Sequence, residues 1–396
     1  MGDYTKIILK SGKEKSIQRF HPWLFSGAIE AVTSELSSGE IVEIYDNKRN
    51  YLATGHYQDE GSIAVKIFSF VKQDINESFW KEKLKKAIKL REILNLTENE
   101  NTNVFRLIHG EGDGIPGLII DMYNGNAVIQ FHSLGMFLLK DIFVKLLKEL
   151  MGVSLKSIYN KSGNTLSGEQ NRFNEFLYNG CESEILIKEF DNQFYVDIVE
   201  GQKTGFFIDQ RENRKLLEQF CKDKKVLNVF GYTGGFSVSA LKGGAKMVHS
   251  VDSSQKAIEL TNRNIELNFG KTEKHVSFTT DAFDFLDKMD DDYDVIVLDP
   301  PAFAKQLHLK DKALKGYRNI NNKVISKLKQ GGILFTFSCS QAILKDDFRT
   351  MIFSASASAN KNVKILHQLS QGSDHPINIY HPESEYLKGL VLYIDE

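Results

Sequence analysis

From about residue 190 onward, apolar strand-like runs alternate with amphipathic helical stretches. The runs fall at 226–230, 247–252, 276–280, 293–299, 333–339, 363–369 and 387–394, with helical periodicity between them, for example at 255–269 and 312–329. Strands this apolar need cover on both faces, and helices interleaved in the chain supply it. Crossover helices also force successive strands to run parallel, with one handedness. The pattern predicts an α/β fold with a doubly wound, mostly parallel sheet. In such sheets ligands bind at the carboxyl ends of the strands, and three runs end in unusual residues. The run YDVIVLD leads into DPPAF (299–303), GGILFTFSC leads into FSCS (337–340), and the earliest run opens into the glycine turn NVFGYTGGF (228–236). If the first two runs are neighbours, the Asp299 carboxylate and the Cys339 thiol stand side by side.

At 396 residues the chain exceeds one typical core, so two or three domains are expected. No apolar run reaches membrane-spanning length, and the opening MGDYTKIILKSGKEK lacks the apolar stretch of a secretory signal. Cytoplasmic residence without membrane attachment is the expectation. The three cysteines, Cys181, Cys221 and Cys339, form no C-x-x-C pair, so no metal site and no disulfide framework is indicated. Cys181 and Cys221 read as inert, buried thiols. The net charge of −2 weighs against a nucleic-acid partner, although local patches outweigh the sum.

Upstream the periodicity changes. IVEIYD (41–46), YLATGHY (51–57) and IAVKIFSF (63–70) alternate apolar and polar residues, the mark of a small β domain. The stretch KSIQRFHPWLFSGAIE (15–30) interleaves Lys15, Arg19 and His21 with Phe20, Trp23 and Phe25. Such interleaving can grip single-stranded nucleic acid; the same aromatics would equally fill a small core. Residues 79–94 have helical period and a basic face that reads as solvated. A glycine-punctuated hairpin (104–123), a strand (127–132), a helix (136–150) and a strand (157–160) make a central α+β unit, and 161–173 reads as an exposed loop. The expected domains are therefore 1–72, 73–188 and 189–396.

Strand, glycine turn and helix together place a ligand at a helix N-terminus. Gly231, Gly234 and Gly235 permit close backbone approach. Asp252 ends the next run, at the spacing of an acid that binds ribose hydroxyls. Asp281 follows the third run and could accept from an adenine amino group. The order G-x-x-G-G departs from the G-x-G-x-x-G of dinucleotide sites. An adenosine cofactor without a pyrophosphate fits better. S-adenosylmethionine is one, and Phe206, Phe207, Tyr232, Phe236 and Phe303 could offer its sulfonium ring faces, or fill the core.

At these residues the chain resembles a class I methyltransferase. More narrowly it resembles the ribosomal RNA large subunit methyltransferase I family, which are cytosine-5 enzymes. RFHPWLFSGAI resembles the opening of that family's N-terminal PUA-like small β-barrel, and HGEGDGIPGLIID (109–121) its central α+β domain. GQKTGFFIDQRENR (201–214), GYTGGFSV, DPPAFAK, FSCS and PESEYLKG (382–389) complete the likeness, while the loop at 161–168 departs from the family pattern. The resemblance implies S-adenosylmethionine as cofactor, held by Phe207, Asp209, Gln210, Gly231, Tyr232, Thr233, Gly234, Asp252, Ser253, Asp281, Ala282 and Asp299. It implies a cytosine of large-subunit ribosomal RNA as substrate. Whether the chain pairs with a second copy of itself is left open.

Methylating carbon 5 of cytosine needs a nucleophile at carbon 6, a partner on the pyrimidine edge and a base. Cys339 is the candidate nucleophile and Asp299 the edge contact. Pro300 and Pro301 stiffen the exit from the strand, and Phe303 could stack on the base or pack into the core. Arg19, His21 and Trp23 are the candidate RNA contacts in the β domain. A free thiol ionises near pH 8.5 and a carboxylate beside it opposes ionisation, so Cys339 should rest neutral until the base binds. Two other readings remain: a guanine-nitrogen methyltransferase of the same fold, which needs no cysteine, and an RNA-binding assembly factor without turnover. A nicotinamide dehydrogenase is more remote. His375 and His381 receive no role.

Overall fold

The computed structural model describes residues 4–166, 174–304 and 307–395. Most of the loop expected at 161–173 and Lys305 of DPPAFAK therefore lie outside the described residues. The chain divides into two compact units. The first comprises Met1–Ile185, Val196–Phe206 and Ser373–Ser384; the second comprises Leu186–Tyr195, Phe207–Gly372 and Glu385–Glu396.

The first unit contains two sheets. Strands β1 (Thr5–Leu9), β2 (Trp23–Phe25), β3 (Ile29–Val32), β4 (Ile41–Tyr45), β5 (Tyr51–Tyr57) and β6 (Ile63–Ser69) form one sheet in the order β2-β6-β5-β4-β1-β3. Alternation along β4–β6 sends Val42, Ile44, Ala53, Val65 and Ile67 into a core shared with Ile17 of the short helix α1 (Lys15–Gln18). Strands β7 (Val104–His109), β8 (Leu118–Tyr123), β9 (Asn126–Phe131), β10 (Ser157–Asn160) and β11 (Glu175–Tyr178) form the second sheet, in the order β11-β10-β9-β8-β7. Its helices are α2 (Glu77–Ile93), α3 (Leu134–Leu138) and α4 (Lys140–Met151). Trp80 and Leu84 of α2 and Phe143, Leu146 and Leu147 of α4 share one core with the strands.

One expectation fails on α2. Its basic face is not wholly solvated: Arg91 is completely buried. The Arg91 guanidinium makes two bonds to the Asp113 carboxylate, at 2.5 and 2.9 Å, and donates to the carbonyls of Arg106 and Asp374. Lys83 donates to the Gly114 carbonyl, and burial lowers its amine to about 8. Sequence period shows which face a residue occupies, not that an acidic loop will cover it.

A hairpin, β12 (Glu184–Glu189) and β13 (Asn192–Asp197), precedes the large sheet of the second unit. That sheet contains β14 (Lys225–Val229), β15 (Met247–Asp252), β16 (His275–Thr279), β17 (Val295–Leu298), β18 (Ile333–Ser338), β19 (Val363–Leu369) and β20 (Lys388–Ile394), in the order β16-β15-β14-β17-β18-β20-β19. Five neighbouring strands run parallel, and β20 inserts antiparallel between β18 and β19. The helices are α5 (Arg211–Leu217), α6 (Gly235–Lys242), α7 (Gln255–Phe269), α8 (Ala282–Lys288), α9 (Lys310–Lys327) and α10 (Lys345–Ser358). The order reverses at β14, whose chain neighbour β15 lies on one side and β17 on the other. That reversal opens a crevice at the carboxyl ends of these strands. Among the described residues no helix is long and apolar enough to cross a membrane.

Candidate active site

The turn after β14 is held in a conformation few sequences allow. Phe230, Tyr232 and Gly234 all have positive φ, at 62°, 45° and 79°. A side chain at Gly234 would meet Thr261 Cγ2 at 2.7 Å, so strain and space both demand glycine there. The turn is pinned from α7: Thr261 donates to the Tyr232 carbonyl at 2.8 Å and Asn264 to the Thr233 carbonyl at 3.0 Å.

Asp252, half-buried at the tip of β15, accepts the backbone N–H of Tyr232 at one oxygen and that of Ser254 at the other, both at 2.9 Å. Each carboxylate oxygen keeps a second lone pair, which suits vicinal hydroxyls. Ser253 beside it is exposed. Asp281 caps α8, its Oδ1 accepting from Phe283 and Asp284; the carboxylate is exposed and Ala282 behind it is buried. Phe207 meets Tyr232 edge to face at 5.2 Å. A half-buried and an exposed carboxylate flanking a glycine turn fit the ribose and adenine of an adenosine cofactor. Asp209 is buried and its Oδ2 accepts the Tyr386 hydroxyl at 2.7 Å. Phe236 packs inside, beside Phe337 and the Arg214 guanidinium, and is core filler.

The carboxylate and the thiol directly follow adjacent parallel strands. β17 pairs with β18 so that Leu298 faces Thr336. Asp299 therefore lies level with Phe337, and Cys339 follows just beyond the end of β18. Both are half-buried. Gln210 donates to Asp299 Oδ2 at 3.0 Å, and Asn213 holds the Gln210 amide oxygen at 2.7 Å. Pro300 is buried. The Phe303 ring packs on Tyr317 at 4.4 Å and sits over Gly316, so much of its surface is committed to the core.

Ser340 ties the two motifs together. Its hydroxyl accepts from the Ala304 N–H at 3.3 Å and lies 3.1 Å from the Tyr317 hydroxyl, which also donates to the Pro301 carbonyl. Lys388, on β20, donates to the carbonyls of Ser340 and Tyr386, both at 2.7 Å. Burial lowers its amine to about 8, while Cys339, Glu385 and Asp347 favour its charge. Lys388 and the Cys339 thiol are therefore near enough to feel each other's charge. Sequence reasoning missed Lys388, Ser340 and Tyr317 as parts of this edge, though Lys388 falls within PESEYLKG.

Cys221 is fully buried, with its thiol pushed up to about 12 by burial, and Cys181 accepts from Ser157. The remaining candidates belong to the first unit. Arg19 is exposed. Trp23 donates its indole N–H to Glu111 at 2.8 Å, and His21 Nδ1 lies 3.2 Å from the Trp23 backbone, so both are tied down within the protein.

Residues 7–70 match a PUA-like domain and residues 173–377 an S-adenosylmethionine-dependent methyltransferase. Curated relatives align end to end. A ribosomal RNA large subunit methyltransferase I from Enterobacter sp. (strain 638) is 36% identical over 395 residues, covering 98% of both chains. The protein of the same name from Shigella dysenteriae serotype 1 is 36% identical over 393 residues, again 98% of each. Among solved structures, a provisionally assigned SAM-dependent methyltransferase from Streptococcus mutans superposes with TM-score 0.84 at 22% identity, over 98% of this chain and 99% of its own. Another provisionally assigned methyltransferase, solved with SAH, gives 0.85 at 23%, with the same coverage. These two speak for the fold. With relatives 36% identical over 98% of its length and a methyltransferase model matching residues 173–377, the protein belongs to the ribosomal RNA large subunit methyltransferase I family.

Proposed function

We propose that this chain methylates carbon 5 of a cytosine in large-subunit ribosomal RNA, with Cys339 as nucleophile and Asp299 on the pyrimidine edge. The observation that carries the reading is the register of β17 on β18, with Asp299 and Cys339 half-buried at the ends of adjacent strands. The domain division 1–72, 73–188 and 189–396 is part of the same reading, with the first module, through Arg19, on RNA.

When bound, S-adenosylmethionine supplies an electrophilic methyl group. Asp252, Asp281 and the turn from Gly231 to Gly234 are the residues suited to hold it, supported by Phe207, Gln210 and the residues that follow Asp252 and Asp281. The chain's own work is on the base. Carbon 5 of cytosine is a weak nucleophile. The Cys339 thiolate adds to carbon 6, and the electron pair of the 5,6 double bond is released toward carbon 5. After methylation a base removes the carbon-5 proton, the double bond re-forms and the thiolate leaves. Asp299 serves as hydrogen-bond partner and proton carrier, held in orientation by Gln210 and Asn213. Lys388 lends positive charge near the sulfur and fixes the turn that carries it.

The test is RNA containing 5-fluorocytidine at the target. Fluorine cannot leave as a proton does, so addition by Cys339 and methylation should trap a protein–RNA adduct stable to denaturants. Cys339→Ala should abolish the adduct. Methyl transfer to RNA that survives Cys339→Ala would favour the guanine-nitrogen reading, and failure of the chain to bind S-adenosylmethionine would favour the assembly factor.

A further inference from the structure

Two histidines and a glutamate from opposite ends of the sequence converge in the first unit. His21 follows α1, just before β2; His381 precedes a single 3₁₀ turn, Pro382–Ser384, and Glu383 lies within it. One carboxylate oxygen, Glu383 Oε2, lies 3.5 Å from His21 Nε2 and 3.6 Å from His381 Nε2. The three donor atoms all lie within 4.8 Å of one another. The two imidazole rings are 5.5 Å apart and inclined at 76°.

These distances are wrong for hydrogen bonds, which run from about 2.7 to 3.2 Å. The two carboxylate–imidazole separations suit ligands of one metal ion. Zinc–nitrogen and zinc–oxygen bonds of about 2.0–2.1 Å, arranged tetrahedrally, put ligand atoms roughly 3.4 Å apart. A second observation is independent of the spacing. The His381 side chain is only 3% exposed, and neither ring nitrogen has a hydrogen-bond partner among the described residues. A buried imidazole left so costs stability unless something else engages it.

We propose that His21, His381 and Glu383 bind a divalent transition-metal ion, with zinc the best fit to two imidazoles and a carboxylate. The surroundings are built for it. His21 Nδ1 lies 3.2 Å from both the backbone N–H and the carbonyl of Trp23, which fixes the ring with Nε2 turned toward Glu383. The Trp23 ring lies against His381 at 4.2 Å and is itself fixed by Glu111. Glu383 is about half exposed, which gives the ion a route in and leaves a fourth position for water. The ion staples the start of β2 to the 381–384 turn, and it stabilises the first unit by mass action.

The experiment uses the full chain without a histidine tag, stripped by chelator and titrated with cobalt(II) alone, then displaced by zinc(II). One equivalent is expected, giving the intense visible bands of a tetrahedral ion and no thiolate charge-transfer band in the near ultraviolet. Zinc should raise the Tm of the native sequence. Glu383→Gln, at a half-exposed position, should fold normally, weaken binding about tenfold or more and remove most of the Tm gain; His381→Gln should weaken it further. Weak octahedral spectra, a thiolate band, or binding unchanged in Glu383→Gln would each overturn the assignment.

Discussion

Two pairs of carboxylates, Asp113 and Asp121 in the first unit and Asp252 and Asp281 in the second, are used in opposite ways. In the first unit, Arg91 and Arg106 are locked in two-pronged pairs with Asp113 and Asp121, and nearly all of each side chain is buried. In the second unit, Asp252 and Asp281 sit at strand ends, facing solvent and held by neutral backbone N–H groups. A carboxylate matched to a guanidinium has its capacity spent on structure. One oriented by N–H groups keeps both its charge and spare lone pairs for a ligand. The difference separates framework from site without any appeal to motif.

Four measurements test that contrast. The largest effect is expected from Cys339→Ala, which should lower methyl transfer to large-subunit RNA by roughly 10⁴-fold while leaving S-adenosylmethionine affinity within about twofold. In the first unit, Arg91→Ala strands the Asp113 carboxylate and should cost roughly 3–5 kcal/mol, read as lost hydrogen-exchange protection in α2 and β7. Acid should also divide the units. Burial lowers His56 to about 3 and His132 to about 4 in the first, and His275 to about 4 in the second. Each is neutral when folded and takes up a proton on unfolding between its folded value and about 6.5. Its stabilisation is full above that pH and falls as pH drops, by roughly 2 kcal/mol per histidine at pH 5. Protection factors, corrected for the intrinsic exchange rate at each pH, should therefore fall more in the first unit between pH 7 and pH 5. Smallest is Asp252→Asn, which keeps the shape and should weaken S-adenosylmethionine about tenfold, or roughly 1.4 kcal/mol, by calorimetry. An unchanged affinity would end the contrast drawn for that carboxylate.

Much of the second unit is legible in the sequence. The expected bounds of β15, β19 and α7 match the structure, and the other strands of the sheet lie within about two residues of expectation. Long apolar runs between amphipathic helices leave little choice of pairing. The antiparallel insertion of β20 is not legible, because strand direction depends on connections the period does not encode. In the first unit β5 is readable, but β1, β2 and β3 are short and their signal is weak. The burial of Arg91 depends on Asp113 and Asp374, and no local pattern announces either. At the site, Asp252, Asp299 and Cys339 declare themselves as strand ends. Ser340 and Lys388 do not, since their role is to hold the turns against one another. His21, His381 and Glu383 have no spacing to read at all.

The first unit is discontinuous, and this bears on how the protein is made. Arg91 Nη2 donates to the Asp374 carbonyl, and the Arg106 N–H is accepted by the Asp374 carboxylate. A nascent chain emerging from the ribosome has completed α2 and β7 long before residue 374 is translated. Until then those donors must stay hydrated or find temporary partners, so the amino-terminal half cannot reach its finished packing during early synthesis. Consolidation waits for residue 374 to be made, and a fragment covering only residues 1–185 would be a poor stand-in for the intact unit.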